Sequence, residues 1–379
     1  MRSHESNPES GRRSAYGIIV VAFMASRLTL AAVGLLALAA IGGQSPGLGS
    51  LPDLFVRWDS GWYLSVVENG YSAVEGGHPG QTNFAFFPVY PLLVGAFRKA
   101  LGWTSVGAAL FVSNAAFLAA LFLVYEYGRV LGAGFRAAVL APVLICFVPQ
   151  SFVFSAVYTE STFLCLLAAA MLAMRRRAYL TSGLSAGVLS GVRSLGVLFA
   201  FYALAVLVRR DGVGGVLRFW KEPKRFLAPA LAPAGLVAFW WFSFWRTGDA
   251  FAQAHTAKWG WGWSADWPWT MIASVLRYGQ PHDKFWVVCS LTAFALSLLL
   301  LRYRYFEEFV FCALAFLLVW SGGIPNSLLR YSIVLFPIYI GVARLLEPRP
   351  LLTGVVLGAL ATVNGMLMAA WALNRLIAI

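Results

Sequence analysis

Read for its apolar and polar positions, the chain is a succession of long apolar runs separated by short breaks rich in arginine, glycine or proline. The runs fall at about residues 16–42, 106–128, 137–149, 161–174, 179–192, 194–208, 226–245, 285–301, 309–320, 331–346 and 351–373. Each is predicted to be a helix in a bilayer, which makes the chain an all-α, polytopic membrane protein with about 11 transmembrane helices. Several runs are shorter than the roughly 20 residues that a straight crossing needs. Short helices of that kind are expected where neighbouring helices or a polar cavity surround them. No stretch reads as a separate soluble unit, so residues 1–379 are taken as one membrane domain.

Charge orders these helices. Arg129, Arg136, Arg175–Arg177, Arg209, Arg210, Arg218, Lys221, Lys224, Arg225, Arg302, Arg304, Arg344 and Arg349 lie in breaks that alternate along the chain. By the positive-inside rule these breaks are cytoplasmic. Arg12 and Arg13 precede the first run and put the N-terminus on the same side. The stretch between the basic breaks near 177 and 209 must enter and return, so it is predicted to be a hairpin turning near Arg193.

The opposite face then receives a loop at about 43–105, a turn at 150–160, a loop at 246–284 and a short loop at 321–330. Residues 84–97 are apolar but contain Pro88 and Pro91 and end in Arg98-Lys99. They are predicted to form an interfacial helix in the first loop. The run 16–42 is longer than the apolar core of a signal peptide and is expected to remain as a first spanning helix.

Composition agrees with this reading. The chain is 60% hydrophobic and 12% charged, and its mean hydropathy is +0.72. A soluble domain of that balance could not cover its surface with polar groups. The net charge of +13 sits in short inter-helix loops, which is a membrane pattern and argues against a nucleic-acid partner. Cys146, Cys165, Cys289 and Cys312 lie in apolar runs without metal or disulfide spacing, and are expected to be structural thiols. Arginine far outnumbers lysine, and alanine and glycine are abundant, a composition that points to a GC-rich bacterial genome and hence a bacterial plasma membrane.

Unusual chemistry is concentrated in the loops of one face. The segment Phe55-Val-Arg57-Trp58-Asp59-Ser-Gly-Trp62-Tyr63 holds a carboxylate among aromatics at the membrane surface. Two roles fit Asp59: a general base in a partly desolvated site, or the cap of an interfacial helix. Glu160 in Tyr158-Thr159-Glu160-Ser161 has the same ambiguity, because Thr or Ser with Glu at a helix start makes a capping box. Trp259 stands beside Lys258 and is the tryptophan of its loop best placed to stack on a sugar, while its neighbours are interfacial anchors. His78 and Glu75 are the nearest thing to metal ligands in the first loop, and one histidine with one carboxylate is a poor site. No metal or other cofactor is therefore expected. Arg27, inside the first run, is expected to face the protein interior, either as an ion-pair partner of a residue such as Glu126 or as a substrate ligand.

Four segments in order carry a resemblance: Trp58-Asp59; Asn83-Phe-Ala-Phe-Phe87-Pro88; Tyr158-Thr-Glu160-Ser; and Arg330-Tyr331. Together they resemble the PIG-V family, the second mannosyltransferase of GPI-anchor assembly and its bacterial homologues, within the GT-C membrane glycosyltransferases. The resemblance extends over essentially the whole chain. It implies a GT-C-like helical bundle and a polyprenyl-phosphate-mannose donor used on the extracytoplasmic face. It also implies that Asp59 matches the catalytic carboxylate of the superfamily's first extracytoplasmic loop. The chain departs from several GT-C branches in lacking an Asp-x-Asp or Glu-x-Asp pair at that place, so a metal bridging two loop carboxylates is not expected.

Chemistry completes the expectation. A departing polyprenyl phosphate needs little acid assistance, whereas the acceptor hydroxyl needs a base and the developing phosphate charge needs cations. Asp59 supplies the base, and Arg330, Lys258 and Arg193 the cations. Trp58, Asn83, Tyr158, Glu160, Trp259, Tyr331 and His78 complete the candidate substrate contacts. The partners expected are the lipid-linked donor, a lipid or glycan acceptor and membrane lipids. Two other classes remain: a GT-C enzyme using another lipid-linked sugar, and a lipid or solute transporter. A transporter is expected to show an internal repeat, and none is evident between the halves.

Overall fold

The computed structural model describes residues 8–72 and 80–378. Glu75 and His78 lie outside the described residues. Among the described residues every regular element is helical.

The first half comprises α1 (Pro8–Ala40), α2 (Leu51–Leu54), α3 (Ser60–Asn69), α4 (Val89–Leu101), α5 (Ser105–Val130), α6 (Phe135–Phe147), α7 (Glu160–Arg175) and α8 (Tyr179–Ser190). The second half comprises α9 (Phe199–Leu217), α10 (Leu227–Leu231), α11 (Ala234–Thr247), α12 (Ala252–Trp261), α13 (Pro268–Tyr278), α14 (Pro281–Arg302), α15 (Phe306–Trp320), α16 (Leu328–Ile333), α17 (Pro337–Leu346) and α18 (Pro350–Ala372). Each of the eleven apolar runs is helical over most of its length. By length and apolarity alone, four of these helices can cross a bilayer: Gly11–Ala40, Ser105–Val130, Pro281–Arg302 and Pro350–Ala372. A fifth forms if the segment 223–247, bent by 49°, is one crossing.

Two runs read as single spans are broken, in both cases at proline. Pro337 cannot donate to the preceding turn, so 331–346 divides into α16 and α17. Pro233 divides 226–245 into α10 and α11. Ser190 Oγ accepts the freed amides of Gly235 and Leu236 at 3.1 and 3.2 Å. Glycine makes this junction possible. A Cβ on Gly235 would fall 2.3 Å from the Gly187 carbonyl oxygen and 2.4 Å from the Gly191 nitrogen. The two backbones therefore touch, as small residues allow in lipid, and the end of α8, from which the turn bearing Arg193 leaves, is fixed. Proline also shifts the interfacial helix of the first loop, since α4 begins only after Pro88.

The short apolar helices are the central ones. In α7, Phe163, Leu164, Leu167, Ala168, Ala170 and Met171 have no exposed surface, and the helix packs against α5 on one side and α8 on the other. The longer α1 and α18 pair with each other at the periphery. Short helices thus occur where other helices replace lipid as their surroundings.

Arg27 has no ion-pair partner among the described residues, contrary to one expectation. Glu126 is instead bound by Arg12 at 2.7 Å and by Arg176 at 3.0 Å. Arg27 donates to the Ser151 carbonyl at 2.7 Å, Ser151 Oγ at 2.8 Å, Ser155 Oγ at 3.1 Å, the Cys146 carbonyl at 3.2 Å and Ser26 Oγ at 3.3 Å. The guanidinium thereby ties α1 to the turn between α6 and α7. Arg27→Met is expected to lower the thermal midpoint of the detergent-solubilised protein by several degrees, because stranding a buried acceptor costs about 1–3 kcal/mol. An unchanged midpoint would show that this network contributes nothing to the fold.

Candidate active site

Four segments distant in sequence meet at one end of the bundle: the start of α3, the start of α7, the turn after α8, and α16. Each was assigned from charge to a loop of one membrane face. Asp59 occupies the N-cap position of α3, yet its carboxylate makes no capping bond to the helix. It pairs instead with Arg330, Oδ2 to Nη2 at 3.0 Å. The cap reading thus holds for Asp59's position in the chain but not for its side chain.

The approach to Asp59 is set by local backbone. Trp58 has φ +52°, a left-handed conformation costly for a bulky residue. This reversal lets Tyr158 bridge the turn, its hydroxyl donating to the Arg57 carbonyl and accepting from the Asp59 amide, both at 3.2 Å. The Phe55 carbonyl is bound to the Val157 amide at 3.0 Å. The first loop is therefore held down on the turn that leads into α7. The Trp58 side chain is 39% exposed.

Glu160 is fully buried, and neither it nor Thr159 caps α7 through a side chain. Arg193 takes both, donating to Thr159 Oγ1 at 2.8 Å and to Glu160 Oε1 at 2.6 Å. Arg330 Nε lies 3.8 Å from the same Glu160 oxygen. Two carboxylates and two guanidinium groups thus alternate in a chain, Asp59, Arg330, Glu160, Arg193. Tyr158 underlies Arg330 at 4.8 Å and Tyr331 underlies Arg193 at 4.9 Å, both as cation–π contacts.

The chain of charges is incompletely satisfied. Arg330 Nε and Nη1, Arg193 Nη1 and Glu160 Oε2 are buried without a hydrogen-bond partner. Buried groups of this kind carry a desolvation penalty until something binds them. Three donors and one acceptor around one charged cluster suit a ligand bearing both an anion and hydroxyl groups.

Sequence reasoning had named Asp59, Arg330, Glu160, Arg193, Tyr158 and Tyr331, and the structure gathers all six. It had not named Thr159 or Ser327. Ser327 accepts from Arg330 Nη2 at 2.5 Å and has φ +68°. Its signal in the sequence is the turn-forming run Gly322-Gly323-Ile-Pro325-Asn326-Ser327.

Asn83 and Lys258 stand elsewhere. Asn83 is buried and binds backbone only, accepting from the Ser72 amide at 3.0 Å and donating to the Gly70 carbonyl at 2.9 Å. It closes the first loop on itself. Lys258 and Trp259 are exposed and stack on one another at 5.0 Å. They have no hydrogen bond or ion pair to the charged cluster among the described residues. Their helix, α12, lies on the first loop through Gln81 Nε2 to the Gly260 carbonyl at 2.8 Å and Thr82 with Thr256 at 3.1 Å. Trp263 then meets the Tyr331 ring edge-on at 6.2 Å. The two long loops and the short one therefore form a single cover over this end. Among the described residues no three His, Cys, Asp or Glu side chains are grouped as metal ligands.

The helical bundle is similar to that of ArnT from Cupriavidus metallidurans bound to undecaprenyl phosphate. The TM-score is 0.55 at 15% identity, covering 95% of this chain and 76% of that one. It is also similar to the archaeal oligosaccharyltransferase AglB from Archaeoglobus fulgidus in complex with an inhibitory peptide and a dolichol-phosphate. There the TM-score is 0.50 at 13% identity, covering 92% and 56%. At such identities the likeness shows the fold alone. The class is that of polytopic membrane proteins with the GT-C fold.

The profile of the family described as mannosyltransferase (PIG-V) matches residues 48–299, and the chain belongs to that family. The GPI alpha-1,6-mannosyltransferase 2 of Rattus norvegicus is 28% identical over 258 residues, 61% of this chain and 51% of that protein. The enzyme of the same name from Mus musculus is 34% identical over 152 residues, 38% and 29% of the two chains. The chain thus spans at most about half the length of these curated relatives.

Proposed function

We propose that the protein transfers mannose, with inversion, from a polyprenyl-phosphate-mannose donor to a lipid or glycan acceptor on the extracytoplasmic face of a bacterial plasma membrane. The observation that carries this reading is the pairing of a partly exposed carboxylate, Asp59, with a buried arginine that still has two unpartnered nitrogens. The carboxylate suits a base and the arginine suits a phosphate ligand, and they touch.

The donor phosphate binds Arg330 and Arg193 through the nitrogens that protein groups leave unpartnered. A phosphate on Arg330 competes with Asp59 for the guanidinium, so donor binding loosens the carboxylate. Asp59 then accepts the proton of the acceptor hydroxyl as that oxygen bonds to C1 of mannose. The bond between C1 and the phosphate oxygen breaks, and polyprenyl phosphate leaves with the electron pair, its added charge held by the two arginines. Direct displacement converts a β-linked phosphomannose into an α-mannoside. Glu160 Oε2 accepts a sugar hydroxyl, and Tyr158 and Tyr331 hold the guanidinium planes. Lys258 and Trp259, exposed on the covering loop, meet the substrate at the rim. No metal enters this scheme.

Membranes containing the protein, incubated with polyprenyl-phosphate mannose and candidate lipid acceptors, should yield a hexosylated product by mass spectrometry. Turnover with a different lipid-linked sugar and none with mannose would overturn the choice of donor. Movement of the lipid without a product would favour a transporter.

Sidedness is checked separately. The motivation is the charge bias, supported by the convergence of the four segments at one end. A cysteine placed at Ser264, an exposed residue of the covering loop, should react with an impermeant thiol reagent in intact cells, whereas one at Arg218 should react only after the membrane is opened. The reverse pattern would invert the topology.

A further inference from the structure

The largest break in α9 lies far from the charged cluster, in the segment that the positive-inside rule assigns to the cytoplasm. Gly212 has φ +69° and ψ +166° inside that helix, a conformation open to glycine and strained for other residues. The chain turns there, and residues 213–225 continue as a last helical turn to Leu217 and two 3-10 turns with a basic, partly apolar surface. Val213, Leu217 and Trp220 are 63%, 66% and 65% exposed. Val213 and Leu217 lie one turn apart at the end of α9, and Trp220 follows in a 3-10 turn, so the three form an exposed apolar stripe along this segment. Alternating with them stand Arg218, Lys221 and Lys224.

The same segment walls a cavity of about 210 Å³, lined by Asp211, Val216, Arg218, Lys221, Glu222 and Arg225 among others. That is room for roughly seven waters, comparable to a phosphate with a short polyol. Both carboxylates of the lining are taken by Arg225, which pairs with Asp211 at 2.9 Å and with Glu222. Asp211 is held below the usual carboxylate range, chiefly by its hydrogen bond from Arg210. Arg218 and Lys221 are exposed and have no ion-pair partner among the described residues. The lining therefore offers two uncommitted cations at the mouth, with apolar side chains beside it.

We propose that this cavity binds the phosphate headgroup of an anionic phospholipid of the cytoplasmic leaflet, with the stripe of Val213, Leu217 and Trp220 lying in the interface. A soluble anion would use the same two cations but would have no need of the exposed apolar stripe. Basic pockets between membrane helices on the cytoplasmic side take phospholipid headgroups in this way. The lipid would hold the α9–α10 connection against the bilayer, on the face opposite the candidate active site. The inference rests on the charge-based orientation but not on the identity of the donor sugar.

Native mass spectrometry of the full-length protein from mixed phosphatidylglycerol and phosphatidylcholine micelles tests it. The wild-type chain should retain phosphatidylglycerol selectively. Arg218→Gln with Lys221→Gln should lower that selectivity by roughly tenfold, since each cation near an anionic lipid surface contributes about one tenfold step or less. Arg98→Gln with Lys99→Gln, at the other end of the bundle, should leave it unchanged. Equal selectivity in the wild-type and Arg218/Lys221 variants would overturn the site. Displacement of the lipid by millimolar inorganic phosphate would overturn the lipid assignment and make the cavity a site for a soluble anion. Neither readout uses glycosyl transfer, so failure here leaves the proposed activity standing, and the reverse also holds.

Discussion

Asp59→Asn is expected to lower kcat by about 10²–10⁴-fold, the usual cost of losing a general base, while the protein still inserts, folds and binds donor. Asparagine keeps the size of the side chain and can still accept from Arg330 Nη2, which is 3.0 Å from the native carboxylate. It loses the negative charge that competes with phosphate for that guanidinium. Donor affinity should therefore be equal to or higher than that of the wild type, even as turnover collapses. This split between KM and kcat separates a base from a residue that merely orders Arg330. Near-normal turnover in a properly inserted Asp59→Asn variant would sink the mechanism. Loss of donor binding with an intact chemical step would instead make Asp59 a positioning residue.

Arg330→Lys should have the second-largest effect, and of the opposite kind. The guanidinium serves Asp59 and Ser327 from Nη2 and faces Glu160 with Nε, while Nε and Nη1 are without a hydrogen-bond partner. Lysine keeps the charge but concentrates it at one atom and cannot span these partners. Losing one charge-assisted bond costs about 1.5–3 kcal/mol, so kcat/KM for the donor should fall roughly ten- to a hundredfold. Much of the fall should appear in donor KM. Arg330→Ala would go further, because it leaves Asp59 and Glu160 without this cation, and breaking a buried pair typically costs about 3–5 kcal/mol. That variant is expected to lose stability as well as activity, which is why lysine is the informative replacement. Unchanged donor kinetics in Arg330→Lys would show that the phosphate is bound elsewhere.

The candidate site shows how a polar cluster persists in a largely apolar protein. Glu160 is fully buried and Arg330 is 5% exposed, yet the four charges sum to zero and each touches an opposite one. The tyrosines beneath the guanidinium groups add contacts that need no further charge. A second cluster of the same kind lies in the other direction along the bundle. There Glu307 and Glu308 on α15 meet Arg175, at 3.3 and 2.5 Å, together with Tyr127 and Tyr202. Glu160 and Arg175 are the first and last residues of α7, so the two clusters stand at its opposite ends.

The sequence by itself determined the class of molecule. Apolar runs of bilayer dimensions leave few other structures, because backbone polar groups in lipid must be satisfied within each segment. Most apolar runs were legible as helices for the same reason, although α1 begins at Pro8, α9 runs on to Leu217, and α12 and α13 lie inside what read as a loop; the Trp58-Asp59 and Arg330-Tyr331 motifs marked the residues that meet. The turn at Arg193 between α8 and α9 was legible from charge, since two basic breaks assigned to one side require an even number of passes between them. What only the tertiary structure decided is who pairs with whom. Thr159 and Glu160 read locally as a helix cap, and nothing near them in sequence indicates that Arg193, some 33 residues on, takes both side chains. Asp59 and Arg330 lie 271 positions apart, a separation at which no periodicity carries information. The breaks at Pro233 and Pro337 were visible as prolines but not as breaks, because membrane helices can retain proline when neighbours supply the missing hydrogen bond, as α6 does with Pro142. Local pattern fixes which segments are helices in the membrane; partners for buried charges are settled by packing, which brings together atoms that the chain keeps far apart.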